Sequence, residues 1–370
     1  MDFSLTEDQE SLVGLARTIL ADHSSLQQLK AAEQSADGID RSCWQAFAGA
    51  NLLGIAIPEE QGGLGFGFLD LCLVLREIGK TVVPLPVVPC LVTAGLTVAR
   101  YGTPEQQSSL AEIATGRLIA TAALQEYGTT ADEPHATATP DGDCWWIRGV
   151  KTMVPHADIA DGMLVSTRVE GTDQIAVFFV GPSGDGRSLM PQQGQNFEHL
   201  FEITFDNVSV GQRELVGTLE TGREVLRYAL DRTMVAMAAL IGGVCDSAVR
   251  ITAQYTVDRK QFDRAIGTFQ AVSQRMADAY INNQAIELTM LQAATHLDEG
   301  ADVAEEVATA KYWACEGGNQ IGHTALHVHG GISIDLDYPI HRHFLWIKHA
   351  EFTLGAATPT LQRLGALIAG

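Results

Sequence analysis

Leu118-Ile119-Ala120-Thr121-Ala122-Ala123-Leu124 is where the chain changes texture, and its reading decides the fold. From here to about Gly217 short apolar runs alternate with turn residues. The runs are IATAAL (119–124), CWWIRG (144–149) directly after Pro140-Asp141-Gly142-Asp143, GMLVST (162–167), QIAVFFV (174–180) and FEITFDNVSV (201–210). Runs of this length, rich in β-branched and aromatic residues and bounded by turn clusters, read as strands. Their spacing predicts a small antiparallel barrel or sandwich of about 95 residues.

Both flanks carry the helical period. On the N-terminal side, Ser4 and Glu7 form a capping-box pattern, and Leu12, Leu15, Ala16, Ile19 and Leu20 follow at helical spacing, so a first helix is predicted from near Thr6. The glycine-rich break at residues 62–67 precedes a second apolar run, Leu69 to Ile78. Thr103-Pro104 supplies an N-cap with proline at the first helical position. On the C-terminal side the period returns at Gly222 and persists, with breaks near Gly300 and Gly330-Gly331, and Asp302 with Glu305 is expected to cap the penultimate long helix. The domains read as 1–117 helical, 118–217 β and 218–370 helical.

Composition narrows the function. With 370 residues the chain can bury a large core without metal or disulfide staples. A formal charge of −21, from 24 Lys+Arg against 45 Asp+Glu, disfavours a binder that tracks nucleic-acid phosphates. The six cysteines show no CxxC spacing and the N-terminus has no basic region before an apolar run, so a reduced, cytoplasmic chain is expected. The most apolar stretch, Met234 to Cys245, is read as a buried core helix, too short for the ~18 residues of a membrane span.

The order helical, β, helical, together with two segments, resembles the acyl-CoA dehydrogenase family across essentially the whole chain. One segment, Arg259-Lys260-Gln261-Phe262-Asp263-Arg264-Ala265-Ile266-Gly267-Thr268-Phe269-Gln270, is similar to the family's R-x-x-F-x-x-x-I-x-x-F-Q. The other is His329-Gly330-Gly331 followed by Tyr338-Pro339 and Arg342. The resemblance implies an acyl-CoA dehydrogenase-like fold: an N-terminal all-α domain, a middle antiparallel β-barrel or sandwich and a C-terminal four-helix bundle. It also implies FAD lying between subunits, and assigns Arg259, Phe262, Phe269, Gln270, His327, Gly330 and Gly331 to cofactor binding. Arg259 maps to the residue that faces a neighbour's pyrophosphate. A guanidinium offers paired donors to phosphate oxygens, and the Phe262 ring can cover adenine or flanking apolar surface. Close backbone approach is the reading of Gly330-Gly331, and a solvated cation balancing Asp258 and Asp263 is the alternative reading of Arg259.

The catalytic position departs from the family pattern. The reaction removes an α-proton from a CoA thioester by a carboxylate while a hydride leaves the β-carbon, so a base must reach the α-carbon. The position that carries Glu in most members reads Leu354, and the second known position, on the central helix, reads Thr233 beside Met234. Neither accepts a proton at neutral pH. Glu351 and Asp231 are displaced carboxylates, off by enough residues to rotate a helical side chain away from its target. No catalytic residue is therefore assigned, and Glu351 is the weak candidate.

The flavin side is altered as well. The segment matching the family's T-E-P-G-x-G-S-D loop reads Leu124-Gln125-Glu126-Tyr127-Gly128-Thr129-Thr130-Ala131-Asp132, and the W-I-T segment reads Met153-Val154-Pro155, where proline has neither N–H nor hydroxyl. This asymmetry is similar to the paired acyl-CoA dehydrogenases of actinobacterial steroid side-chain degradation. In those α2β2 heterotetramers one chain carries the base, and each FAD sits at a heterodimer interface. The partners implied are a homologous catalytic subunit, an acyl-CoA substrate and an electron-transfer flavoprotein, with no nucleic acid and no membrane span. A self-sufficient homotetramer using a displaced carboxylate, and a structural subunit with no FAD role, remain alternatives.

Other constellations carry less. Six histidines, His323, His327, His329, His341, His343 and His349, fall within 27 residues, but no matching Cys or carboxylate set accompanies them, so no metal is assigned. No G-x-S-x-G elbow supports a hydrolase, and the glycines of residues 62–67 follow no strand, so a dinucleotide fingerprint is not read there. Trp145-Trp146 on a strand should put one ring in the core and the other outward. Gly242-Gly243 in an apolar helix costs ~1 kcal/mol per glycine relative to alanine, and points to close helix packing or to room for a fused-ring acyl group.

Overall fold

The computed structural model describes residues 3–182 and 184–369. Before the sheet, α1 (Glu7–Ala21), α2 (Leu26–Glu33), α3 (Arg41–Gly49) and α4 (Phe68–Thr81) are followed by a π-helical segment, Val88–Leu96, that runs into α5 (Thr97–Tyr101), α6 (Pro104–Gln107) and α7 (Leu110–Ala114). Thr103 caps α6 reciprocally with Gln106, with Pro104 at the first helical position as expected. The first capping box is formed by Thr6 and Gln9, two residues beyond the expected Ser4 and Glu7, and it sets the start of α1.

Seven strands follow: β1 (Ala120–Ala123), β2 (Thr137–Asp141), β3 (Cys144–Pro155), β4 (Gly162–Val169), β5 (Ile175–Val180), β6 (Arg187–Gln193) and β7 (His199–Gly211). They form one sheet in the order β1-β4-β2-β3-β7-β6, with β5 also paired to β4. The pairings β2–β3, β3–β7, β4–β5 and β6–β7 are antiparallel, whereas β1 and β2 share one edge of β4 in parallel. Trp145, Ile147, Phe178, Ile203 and Phe205 lie in the apolar core of this sheet, and Trp145 is buried while Trp146 is exposed, as strand alternation requires. Register shifts in the β3–β7 ladder leave Thr152 and Met153 in a bulge, with Met153 at φ 55°.

The remainder is helical apart from one hairpin. α8 (Gly222–Asp258) leads into β8 (Lys260–Gln261) and β9 (Arg264–Ala265), then α9 (Gln270–Asp298), α10 (Ala304–His329), α11 (Ile340–Phe352) and α12 (Ala357–Ala369). α8, α9, α10 and α11 converge on the buried residues Ile241, Ile286, Gly318 and Ile347. A Cβ placed on Gly318 would lie 3.0 Å from Ile241 and 3.4 Å from Ile347, so a larger residue would push these helices apart. The Asp302–Glu305 box does not form: α10 starts at Ala304 with the buried, apolar Val303 at its cap position. α8 is long and apolar enough by length and composition to cross a membrane, and 72% of its most apolar window is buried inside the protein, as befits a core helix.

Two compact units emerge from the chain's contacts. One comprises Met1–Lys30, Phe68–Val83 and Met234–Gly370, and the other Ala31–Gly67 and Pro84–Thr233. In the first, α1 lies against α4 through Gln9–Asp70 and Arg17–Glu77 contacts of 2.8 and 3.0 Å. In the second, Trp44 on α3 donates its indole N–H to Gly116 O.

Candidate functional site

The hairpin after α8 is built by backbone geometry. Phe262 and Asp263, the two residues between β8 and β9, have φ of 51° and 64°, the left-handed pair that a tight hairpin turn requires. The turn thrusts Phe262 outward at 86% exposure. Its ring meets Phe269, which precedes α9, edge-on at 6.2 Å, and the Arg264 guanidinium lies 4.0 Å over the Phe269 ring. Gln270, the first residue of α9, is exposed.

Arg259 continues from α8, its N–H bonded to Tyr255 O at 2.9 Å. The Asp258 carboxylate accepts from the Gln254 amide at 3.1 and 3.0 Å. Among the described residues no carboxylate forms an ion pair with Arg259, which leaves its guanidinium open to solvent or to a ligand. The hairpin and its approach carry Arg259, Lys260 and Arg264 against Asp258 and Asp263, a net positive spot on a strongly acidic chain.

His327 is exposed on the last turn of α10, and Gly330, at φ 65°, ends that helix in a conformation reserved for glycine. A Cβ on Gly330 or Gly331 would meet nothing within 4 Å, so the chain itself supplies no close approach there. The turn is therefore open on the side where a Cβ would stand, which is compatible with close backbone approach by another molecule.

The base positions carry no acid. Leu354 stands in the turn after α11 at φ 57°, followed by Gly355 at φ 105°. Thr233 is buried in α8, its hydroxyl 2.7 Å from both Ala229 O and the Thr93 hydroxyl. The displaced carboxylates are engaged: Glu351 lies 2.6 Å from the Lys348 ammonium and Asp231 3.5 Å from Arg227. Sequence reasoning missed Lys311, fully buried, which donates to the Ala350 and Glu351 carbonyls at 2.9 and 3.4 Å and so holds the end of α11 beneath Leu354. Burial depresses its pKa, with the nearby Cys315 and Glu351 opposing the shift. Its signal was a lysine on the apolar stripe of Val307, Ala308, Ala314 and Cys315.

The segment matching the flavin-covering loop spends its charged and amide side chains within the chain. Glu126 is buried and spent on Lys151 at 2.6 Å and on the His135 and Ala136 N–H groups. The donors in the β3 bulge are taken: Met153 N–H bonds Gln192 Oε1 at 2.8 Å, Thr152 N–H bonds Gln125 O, and the Thr152 hydroxyl meets the Gln192 amide. Gln192 also reaches the Tyr127 hydroxyl at 2.9 Å, which donates in turn to Glu202. With Pro155 lacking an N–H, the donors of the β3 bulge are all committed within the chain. By contrast, the Arg259 guanidinium, with no ion-pair partner among the described residues, offers paired donors of the kind that suit phosphate oxygens, and the exposed Phe262 ring offers a flat apolar surface. Among the described residues no cluster of His, Cys, Asp and Glu could hold a metal ion.

The model for the N-terminal domain of acyl-CoA dehydrogenases matches residues 6–117, and that for their C-terminal domain matches 220–365. Acyl-CoA dehydrogenase FadE27 of Mycobacterium tuberculosis is 33% identical over 100% of this chain and 99% of its own length. Among solved structures, the ChsE4–ChsE5 complex from Mycobacterium tuberculosis superposes with a TM-score of 0.94 at 34% identity, covering 100% of this chain and 99% of that one. A variant of the Tcur3481–Tcur3483 steroid ACAD gives 0.93 at 40% identity, covering 98% of each chain.

Proposed function

The chain belongs to the acyl-CoA dehydrogenase family, and on that premise we propose that it is the FAD-binding subunit of a heteromeric acyl-CoA dehydrogenase whose general base belongs to a homologous partner chain. FAD is the cofactor of this family, and when bound it supplies the hydride acceptor for α,β-dehydrogenation of a CoA thioester. Arg259 pairs with pyrophosphate oxygens of the flavin held by the partner, Phe262 and Phe269 cover its apolar surface, and the Gly330-Gly331 turn leaves room for it. Its own 124–155 segment holds no flavin.

The observation that carries the reading is Leu354. It occupies the left-handed turn position of the missing acid, while Glu351 and Asp231 are already engaged by Lys348 and Arg227. This supports a proton acceptor supplied by another chain. The names of the two similar structures, one a steroid ACAD and both a pair of named chains, support a steroid-derived acyl group and a partner of a second kind, which we place in an α2β2 assembly. An electron-transfer flavoprotein as acceptor and a cytoplasmic location complete the proposal.

The test is to express the chain alone and with its partner, then measure FAD per chain and turnover of steroid-CoA and straight-chain acyl-CoA thioesters. The expected result is no bound FAD and no turnover alone, one FAD per pair of chains in the complex, and loss of FAD on Arg259→Ala. Turnover and one FAD per chain from this protein by itself would overturn the proposal.

A further inference from the structure

The hairpin and the glycine turn are joined by a stack of rings. His329, the last residue of α10, is buried, and its imidazole stacks on Tyr255 of α8 with centroids 4.4 Å apart and planes 28° from parallel. Its Nδ1 lies 2.8 Å from Ala325 O, a group that only accepts, so Nδ1 carries the hydrogen. In the neutral ring Nε2 is then an acceptor, and it receives the Tyr338 hydroxyl at 3.1 Å. Burial holds the His329 pKa below its usual value, which keeps the ring neutral and the tautomer fixed.

Each partner belongs to a different piece of the proposed half-site. Tyr255 accepts the Arg259 N–H on its own carbonyl and donates its hydroxyl to His329 O at 3.4 Å, one bond from the Gly330 peptide. Tyr338 follows the glycine turn and precedes α11. A phenylalanine would keep an aromatic ring between the two tyrosines, a somewhat larger one, but would bind neither Ala325 nor Tyr338. Neither ring nitrogen is spent on solvent, so the histidine's polar atoms orient it rather than solubilise it.

We infer that His329 is a positioning residue: clamped between Tyr255 and Tyr338, it fixes Arg259 and the Gly330-Gly331 turn relative to one another so that both meet the same FAD. This rests on the reading of Arg259 as a FAD contact. His329 itself touches no cofactor and acts through its two tyrosines.

The experiment uses the co-expressed complex with the partner chain and measures the FAD dissociation constant by equilibrium dialysis, beside the thermal midpoint of the FAD-free complex. His329→Phe keeps the ring and removes both hydrogen bonds, and Tyr338→Phe removes one. Each is expected to weaken FAD binding by roughly three- to tenfold, the worth of one or two such bonds. The double variant should be no worse than His329→Phe alone, because both act through the same 3.1 Å contact. FAD affinity should fall by more than the accompanying loss of stability of the FAD-free complex explains, and it should fall in Tyr338→Phe as well, whereas a merely structural histidine would lower the midpoint and leave FAD affinity intact. Unchanged affinity in His329→Phe, with affinity lost in Arg259→Ala, overturns the clamp and keeps the function. Unchanged affinity in Arg259→Ala overturns the function, and the clamp with it.

Discussion

Lys151 lies with its side chain wholly out of solvent and its ammonium 2.6 Å from the carboxylate of Glu126. Ser166 takes a second ammonium hydrogen at 3.1 Å, and the backbone of His135 and Ala136 supplies the rest of the carboxylate's bonds. The pair fastens the 124–136 loop to β3. Burial pulls the lysine's pKa down, and Glu126 works against that shift. Removing the cation alone leaves a buried carboxylate uncompensated, so Lys151→Met should cost about 3–5 kcal/mol in chemical denaturation. Replacing both partners, by Lys151→Met with Glu126→Leu, should recover part of that loss, since no stranded charge remains.

In the seven-stranded sheet the strands that bury an apolar face were legible in the sequence, and the two missed there are the ones that do not. β2 reads TATPD and β6 reads RSLMPQQ, and most of β6 is exposed, so neither shows the alternation that marked β3 or β7. Two overlapping S/T-x-x-E/Q patterns compete at the N-terminus, and local spacing could not choose between Ser4 and Thr6. At the site, Arg259 and Gly330 sit in contiguous motifs and could be read directly. The Tyr127–Gln192 contact joins residues 65 apart, and the ring stack of Tyr255 on His329 joins residues 74 apart in sequence, so both exist only once the chain has folded.

Acid should destabilise the fold through His343. Its ring is buried between α11 and α8, with Nδ1 3.1 Å from Pro339 O and Nε2 3.0 Å from the Ser247 hydroxyl. Burial, helped by the neighbouring His341 and Arg342, pushes its pKa down to about 4. The unfolded chain takes up this proton near pH 6.5 and the folded chain does not, so the contribution is complete above about 6.5 and is lost as pH falls towards 4. The loss is on the order of 3 kcal/mol, and His329, shifted in the same direction, adds to it. Urea midpoints measured from pH 7.5 to 4.5 should fall steeply for the native chain, and His343→Gln should flatten that slope.

Thiol chemistry should single out one cysteine. Cys144 is exposed, while Cys43, Cys72, Cys90, Cys245 and Cys315 are buried. Burial pushes the Cys43 and Cys90 thiols up to about 12 and raises that of Cys245 as well, which removes the reactive thiolate at neutral pH. Iodoacetamide on the folded protein should add a single label at Cys144, read by intact mass and peptide mapping. Denaturant should expose the other five.

Two adjacent glycines in α8 should respond to alanine with opposite signs. A Cβ on Gly243 would stand 1.9 Å from the carbonyl oxygen of Arg76 on α4, and one on Gly79 of α4 would stand 2.1 Å from Leu240 O, so the two helices cross backbone to backbone. Neither carbonyl can retreat without moving its helix, and Gly243→Ala should lower stability by about 2–3 kcal/mol. At Gly242 the nearest atom is Ile286 Cγ2 at 3.4 Å, an ordinary contact, so Gly242→Ala should keep the packing and gain up to ~1 kcal/mol from helix propensity. Equal losses at both positions in chemical denaturation would contradict this account. Close packing thus explains the second glycine. At the first, an added Cβ meets Ile286 at 3.4 Å, and turnover of a steroid-CoA thioester by the complex should be unaffected by Gly242→Ala, whereas a loss of turnover would favour room for a fused-ring acyl group there.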